Sequence, residues 1–134
     1  MISRRNIITA AMTGFVAAAT SVSASAKRPS PVARLDTDHD GTVDLAEAKK
    51  AGGALFDKLD TDKDGTLDVK ELHGRLNGRD LAAADPDKDK TLTKDEYLAA
   101  VEQRFKAADT DHDGSVSDAE FRTAAGRALL RLLA

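Results

Sequence analysis

Asp60-Thr61-Asp62-Lys63-Asp64-Gly65-Thr66-Leu67-Asp68-Val69-Lys70-Glu71 decides how the rest of the chain is read. Three aspartates alternate, a glycine follows, and a glutamate closes the run at its twelfth position. Carboxylates at positions 1, 3 and 5 converge on one centre if the chain bends sharply at position 6. Gly65 permits that bend because glycine takes a positive φ without steric penalty. The carbonyl of Thr66 adds an oxygen, Asp68 acts directly or through water, and Glu71 clamps with two oxygens from the first turn of a helix. So many oxygen donors suit a hard cation and nothing softer.

The pattern is that of an EF-hand calcium loop, and it recurs. Four loops span 36–47, 60–71, 85–96 and 109–120, starting 24, 25 and 24 residues apart. The candidate ligands are Asp36, Asp38, Asp40, Thr42, Asp44 and Glu47 in loop 1, and Asp60, Asp62, Asp64, Thr66, Asp68 and Glu71 in loop 2. Loop 3 offers Asp85, Asp87, Asp89, Thr91 and Glu96, and loop 4 offers Asp109, Asp111, Asp113, Ser115 and Glu120. An apolar residue stands four before each first aspartate (Val32, Phe56, Leu81, Phe105), and another follows each closing glutamate (Ala48, Leu72, Tyr97, Phe121). A third occupies position 8 (Val43, Leu67, Leu92, Val116), where two loops can share a short β-bridge. All of these read as core.

Only 12 or 13 residues separate one closing glutamate from the next first aspartate, too few for two helices and a linker. One helix therefore leaves one loop and enters the next. Thr93 with Glu96 and Ser117 with Glu120 form capping-box patterns, and Asp44 with Glu47 and Asp68 with Glu71 put acids in the same favourable turn. The helix between loops 3 and 4 has no breaker, so these loops lie at opposite ends of a rod about 20 Å long. Asn77-Gly78 signals a turn between loops 2 and 3, with Asp80 able to cap a new short helix. Gly52-Gly53 weakens the first connecting helix by roughly 1 kcal/mol per glycine. If that helix holds, loop 2 pairs with loop 3 and loop 1 with loop 4. The C-terminal Leu129-Leu130-Arg131-Leu132-Leu133 covers the open end of the bundle, standing in for a first helix shortened by Pro29 and Pro31.

The chain has 134 residues, no cysteine, 20 basic and 23 acidic residues. Disulfides, thiolate sites and thiol catalysis are excluded. Residues 1–26 read as a signal peptide: Arg4 and Arg5, an apolar run from Ile7 to Ala19, and an Ala24-Ser25-Ala26 cleavage site. The apolar run is too short for a bilayer span. Ser3-Arg4-Arg5-Asn6-Ile7-Ile8 also resembles a twin-arginine export signal. Either route leads to the periplasm or outside the cell. Residues 27–31 form a short tail, and 32–134 the metal-binding domain. The predicted fold is all-α: a compact EF-hand helical bundle with four calcium-type loops sharing short connecting helices, behind a cleaved N-terminal signal peptide.

Several stretches resemble the lanmodulins, periplasmic lanthanide-binding EF-hand proteins of methylotrophic bacteria. They are Phe56-Asp57-Lys58-Leu59 before loop 2, Tyr97-Leu98-Ala99-Ala100-Val101-Glu102 after loop 3, and Phe105-Lys106-Ala107-Ala108 before loop 4. The short loop spacing and the leader add to the likeness. The resemblance implies a helical bundle largely disordered without metal and a preference for trivalent lanthanides over calcium. The chain departs from that family at loop position 2, where proline occurs only as Pro86 and the other loops carry Thr37, Thr61 and Thr110. Position 9 keeps Asp44 and Asp68 but has Thr93 and Ser117 in loops 3 and 4. These departures bear on lanthanide selectivity and leave metal binding intact.

Eighteen of the 23 acids stand at ligand positions of the loops, and only Asp57, Asp80, Asp95, Glu102 and Asp118 do not. Without the two leader arginines, 18 basic residues sit against those five, so the frame is basic and the sites are acidic. At their ligand positions loops 1 and 2 have five carboxylates each and loops 3 and 4 four each. Attraction scales with ion charge, so the first two should favour trivalent ions more. Lys90 stands where glycine is wanted in loop 3, at roughly 1 kcal/mol of backbone strain. That loop is expected to bind last or not at all, within a total of up to four calcium or lanthanide(III) ions. With few aromatics and clustered carboxylates, the metal-free chain should fold poorly, which couples binding to folding.

The preferred reading is a metal buffer or carrier, monomeric, with metal ions as its partners. The alternative is a calcium sensor that changes conformation to engage a protein partner. Such sensors use methionine-rich grooves, and both methionines, Met1 and Met12, leave with the leader. No enzyme is expected: His39 and His112 sit at loop position 4 facing solvent, His73 lies on a helix, and no nucleophile–base set is evident. Basic residues are dispersed among acids, so nucleic-acid binding has no support, and no membrane contact is expected once the leader is removed.

Overall fold

The computed structural model describes residues 27–134. The leader and its export signals, residues 1–26, lie outside the described residues. α1 (Pro31–Leu35) starts at Ser30, whose hydroxyl accepts the Ala33 N–H, with Pro31 at the first helical position, where a missing N–H costs nothing. The chain passes through loop 1 and β1 (Val43–Asp44) into α2 (Leu45–Leu59), then loop 2 and β2 (Thr66–Leu67). α3 (Gly78–Ala84), loop 3 and β3 (Leu92–Thr93) lead into α4 (Lys94–Ala108), followed by loop 4 and β4 (Ser115–Val116). α5 (Asp118–Phe121) and α6 (Ala124–Leu130) complete the described chain. Among the described residues the fold is helical, with six helices and little sheet.

The pairing follows the expected scheme. β1 lies antiparallel to β4 with Val43 opposite Val116, and β2 lies antiparallel to β3 with Leu67 opposite Leu92. All four position-8 side chains are fully buried. α2 and α4 are unbroken rods of 15 residues, about 22 Å each at 1.5 Å per residue, and each carries a loop from one pair to the other. They pack side by side, with Phe56 set edge-on to Tyr97 at 5.6 Å between ring centroids. Lys49 on α2 and Lys106 both bind Glu102 on α4. The eight apolar residues flanking the loops are all buried.

Gly52-Gly53 does not break α2, and Gly52 has a positive role. A Cβ there would stand 3.0 Å from Val101 Cγ2, 3.6 Å from the Leu132 carbonyl oxygen and 3.7 Å from Leu133 Cδ2. Hydrogen at this position lets α4 and the C-terminal segment approach the α2 backbone. The C-terminal leucines pack against α2 and α4: Leu129, Leu132 and Leu133 are buried, and the Tyr97 hydroxyl donates to the Leu132 carbonyl at 2.8 Å.

Two local expectations need correction. Asp80 is not the cap of the short helix before loop 3. Asn77 is, accepting the Asp80 N–H at 2.8 Å, and Asp80 instead forms an ion pair with Arg104. Asn77 precedes Gly78 directly and so meets the free N–H groups of the first turn. His73 is not on a helix either. The segment after loop 2 runs only as turns, because His73 and Gly74 both take positive φ, 47° and 75°, and reverse the handedness that a helix needs.

Candidate metal centre

Each loop is wired the same way at its start. The first aspartate accepts the N–H of position 6 through Oδ2: Asp36 from Gly41 at 2.9 Å, Asp60 from Gly65 at 3.1 Å, Asp85 from Lys90 at 2.8 Å and Asp109 from Gly114 at 3.0 Å. Those bonds require a left-handed residue at position 6. Gly41, Gly65 and Gly114 sit at φ 84° to 89°, and Lys90 is held at 68°. Position 4 is left-handed as well, with His39, Lys63, Lys88 and His112 at φ 57° to 64° and all four exposed. Both loop histidines face solvent, as their position predicts.

Carboxylate oxygens then gather. Asp60, Asp62, Asp64 and Glu71 each offer an oxygen lying within 4.8 Å of the others, as do Asp36, Asp38 and Asp40. Asp85, Asp87 and Glu96 form a third such group, and Asp109, Asp111 and Glu120 a fourth. Loop 2 is the most fully assembled. In the other three, Glu47, Asp89 and Asp113 stand outside the tight group. Position 5 is engaged locally: Asp40, Asp64, Asp89 and Asp113 accept both the N–H and the hydroxyl of Thr42, Thr66, Thr91 and Ser115 at 2.8 to 2.9 Å.

Position 9 caps the turn that follows it. Asp44 and Asp68 each accept the N–H of their closing glutamate, at 2.7 and 2.8 Å, and the glutamate returns the favour by accepting the aspartate N–H. Thr93 and Ser117 do the same with Glu96 and Glu120. All four loops thus end in a reciprocal capping box, even loop 2, where no regular helix follows. Asp44 and Asp68 belong to none of the four tight groups.

Electrostatics record the crowding. The carboxyl of Asp87 is pushed up by a hydrogen bond shared with Asp85, by loss of water, and by the charges of Asp89 and Glu96. At Asp38, Asp62 and Asp111 an N–H from position 5 lowers the pKa, yet lost hydration and neighbouring carboxylates outweigh it and the net direction is upward. Every position-3 aspartate is therefore raised, the signature of anions held closer than they would sit unaided. Glu120 is lowered, chiefly by the Ser117 N–H. Burial raises Glu47, but N–H groups from Thr37, Asp44 and Asp38 with the Thr37 hydroxyl prevail and lower it.

One buried oxygen has no partner. Asp85 is 5% exposed, and its Oδ1 accepts no hydrogen bond. A buried carboxylate oxygen left bare is costly, and a hard cation at the Asp85–Asp87–Glu96 group would satisfy it. The donor set is all oxygen and all anionic, which fits calcium or a trivalent lanthanide and not a soft metal.

Comparison with known proteins agrees with this chemistry. The EF hand family model matches residues 53–74 and 101–125, the segments holding loops 2 and 4. Lanmodulin of Methylorubrum extorquens AM1 is 63% identical over 49 residues, 37% of this chain and 37% of its own length. The match thus spans little more than a third of that relative. The chain carries EF-hand segments and is similar to lanmodulin. No helix among the described residues is long and apolar enough to cross a membrane.

Proposed function

We propose that this lanmodulin-like EF-hand chain is an exported buffer or carrier of calcium or lanthanide(III) ions that folds as it binds them. The observation that carries the reading is the gathering of three or four carboxylate oxygens within 4.8 Å in every loop, on a frame that is otherwise basic. Asp36, Asp38, Asp40 and Glu47 would hold an ion in loop 1, and Asp60, Asp62, Asp64 and Glu71 in loop 2. Asp85, Asp87, Asp89 and Glu96 serve loop 3, and Asp109, Asp111, Asp113 and Glu120 loop 4, with the carbonyls of Thr42, Thr66, Thr91 and Ser115 completing the sets. Asp44 and Asp68 act as caps and add negative charge beside loops 1 and 2. The ion supplies positive charge that relieves repulsion among these groups, and a trivalent ion relieves more of it. Loop 3, strained at Lys90, is the weakest of the four. Cleavage after Ala26 and a monomeric product belong to the same reading, and no catalytic step is part of it.

A second reading, a sensor that docks a partner, is favoured by one feature. Val69 is 62% exposed, the one large exposed hydrophobe among the described residues, and it borders a cleft of about 380 Å³ with Leu81 and Ala82.

Parallel titration of chelator-stripped protein with calcium and with terbium tests both. Helix content followed by circular dichroism should rise with either ion, at lower terbium than calcium. Full helix content in chelator would remove the coupling of folding to binding, and equal midpoints would remove the lanthanide preference. No response to either ion ends the metal-binding reading. An apolar dye added to the loaded protein stays dark for a buffer and lights up for a sensor.

A further inference from the structure

The four closing glutamates are not held alike, and the difference lies ten residues upstream. Thr37 donates its N–H to Glu47 Oε1 at 2.6 Å and its hydroxyl to the same oxygen at 3.0 Å. Thr61 repeats the pair on Glu71 at 3.1 and 3.2 Å, and Thr110 on Glu120 at 3.0 and 3.2 Å. Loop 3 has Pro86 at this place, with neither an N–H nor a hydroxyl. Glu96 is held only on its other side, where Oε2 accepts the Thr93 N–H at 2.7 Å. The first aspartate of loop 3 differs too. Oδ1 of Asp36, Asp60 and Asp109 accepts a backbone N–H from within its own loop, whereas Asp85 Oδ1 is buried and bare.

We propose that the residue at loop position 2 is a positioning residue for the closing glutamate: threonine clasps it in loops 1, 2 and 4, and Pro86 withholds the clasp from loop 3. The inference rests on the metal-binding reading and deepens it. A carboxylate oxygen has two lone pairs, and the threonine fills both on Oε1, so an ion takes the place of one hydrogen bond and leaves the other. Half of the clasp therefore survives loading. The clasp joins the second residue of the loop to the twelfth, so closing of the loop itself fixes the glutamate's rotamer, and the ordering cost of a long side chain does not fall on the ion alone. Outer contacts of this kind typically govern affinity by about 10- to 100-fold. In loop 3 the unpartnered Asp85 oxygen still calls for a cation, and Glu96 stands beside it but is fixed through Oε2 alone, so ordering of its Oε1 falls to the ion. Weak binding there then has a cause separate from the strain at Lys90.

The test reads each loop by itself. In ¹⁵N-labelled protein the amides of Gly41, Gly65, Lys90 and Gly114 each donate to the first aspartate of one loop, so their resonances report four separate midpoints. Titration with calcium or diamagnetic lanthanum(III) is run on the unaltered chain and on Thr61→Ser, Thr61→Val, Thr61→Pro and Pro86→Thr. Thr61→Ser keeps both donors and should leave the Gly65 midpoint in place. Thr61→Val keeps the N–H alone and should raise it several-fold. Thr61→Pro, which removes both donors, should raise it by about 10- to 100-fold. Pro86→Thr should lower the Lys90 midpoint by about 10-fold. A Gly65 midpoint unmoved in the valine variant, which keeps the backbone intact if the proline variant misfolds, overturns the clasp while metal binding stands. Silence of all four amides in the unaltered chain overturns the metal-binding reading itself.

Discussion

Lys90 shows how one side chain can oppose its own backbone. Position 6 must be left-handed to send its N–H to the first aspartate, and Lys90 adopts φ 68° to do so at 2.8 Å. A Cβ in that region costs roughly 1 to 2 kcal/mol, which glycine avoids. Replacement by glycine is therefore expected to stabilise the ion-loaded protein by about 1 kcal/mol, raising the thermal midpoint by about 4 to 8 °C for a domain of this size. Calorimetric melting of Lys90→Gly reads this directly, and an unchanged or lower midpoint would show that the loop carries no strain there. The need for glycine at position 6 was legible from the repeat alone, since three loops supply it and the fourth does not. The role of Thr37, Thr61 and Thr110 was not legible, because a hydrogen bond across ten residues exists only once the loop has closed.

Adjacent glycines on α2 make a contrast at the scale of the element. Both should weaken a helix by roughly 1 kcal/mol relative to alanine. A Cβ at Gly53 would meet only the Cε of Lys94 at 3.5 Å, an ordinary contact, whereas at Gly52 it would press on Val101 at 3.0 Å. Gly53→Ala is thus expected to gain about 0.5 to 1 kcal/mol, and Gly52→Ala to gain less or to lose stability as the helices are pushed apart. Urea unfolding of the loaded variants compares them, and equal gains would mean that α2 and α4 do not depend on close approach at Gly52. Gly126 is more constrained still, since a Cβ there would collide with the Glu120 carbonyl and the Phe121 Cα. That contact folds α6 back against the end of loop 4.

For the whole molecule, Tyr97 ties the bundle to its C-terminus. Its ring is fully buried beside Phe56, and its hydroxyl donates to Leu132. Tyr97→Phe leaves the Leu132 carbonyl without its partner, at about 1 to 3 kcal/mol, measurable by urea unfolding of the loaded protein. Burial pushes the phenol from 10.0 up to about 12, with the Arg75 and Arg104 charges pulling slightly the other way. The raised value means that the folded state prefers the neutral phenol. Its contribution is whole below pH 10 and drains away as the pH rises toward 12. Spectrophotometric titration should show tyrosinate appearing well above the usual range, and a normal midpoint would mean that the ring is not enclosed when the protein is loaded.

Local chemistry determined the loops, their caps and the apolar frame around them. Acid spacing, glycine at the bend and a glutamate three residues after a capping side chain are contacts within about a dozen residues, so the order of the chain displays them. The pairing of loops 2 with 3 and 1 with 4 was also readable, because it follows from where a helix continues and where Asn77-Gly78 interrupts it. Only the tertiary structure decided what Gly52 is for and which oxygens in loop 3 are left bare. Each of these depends on atoms brought together by the closing of a loop or the packing of two helices, and distance in space has no fixed relation to distance along the chain.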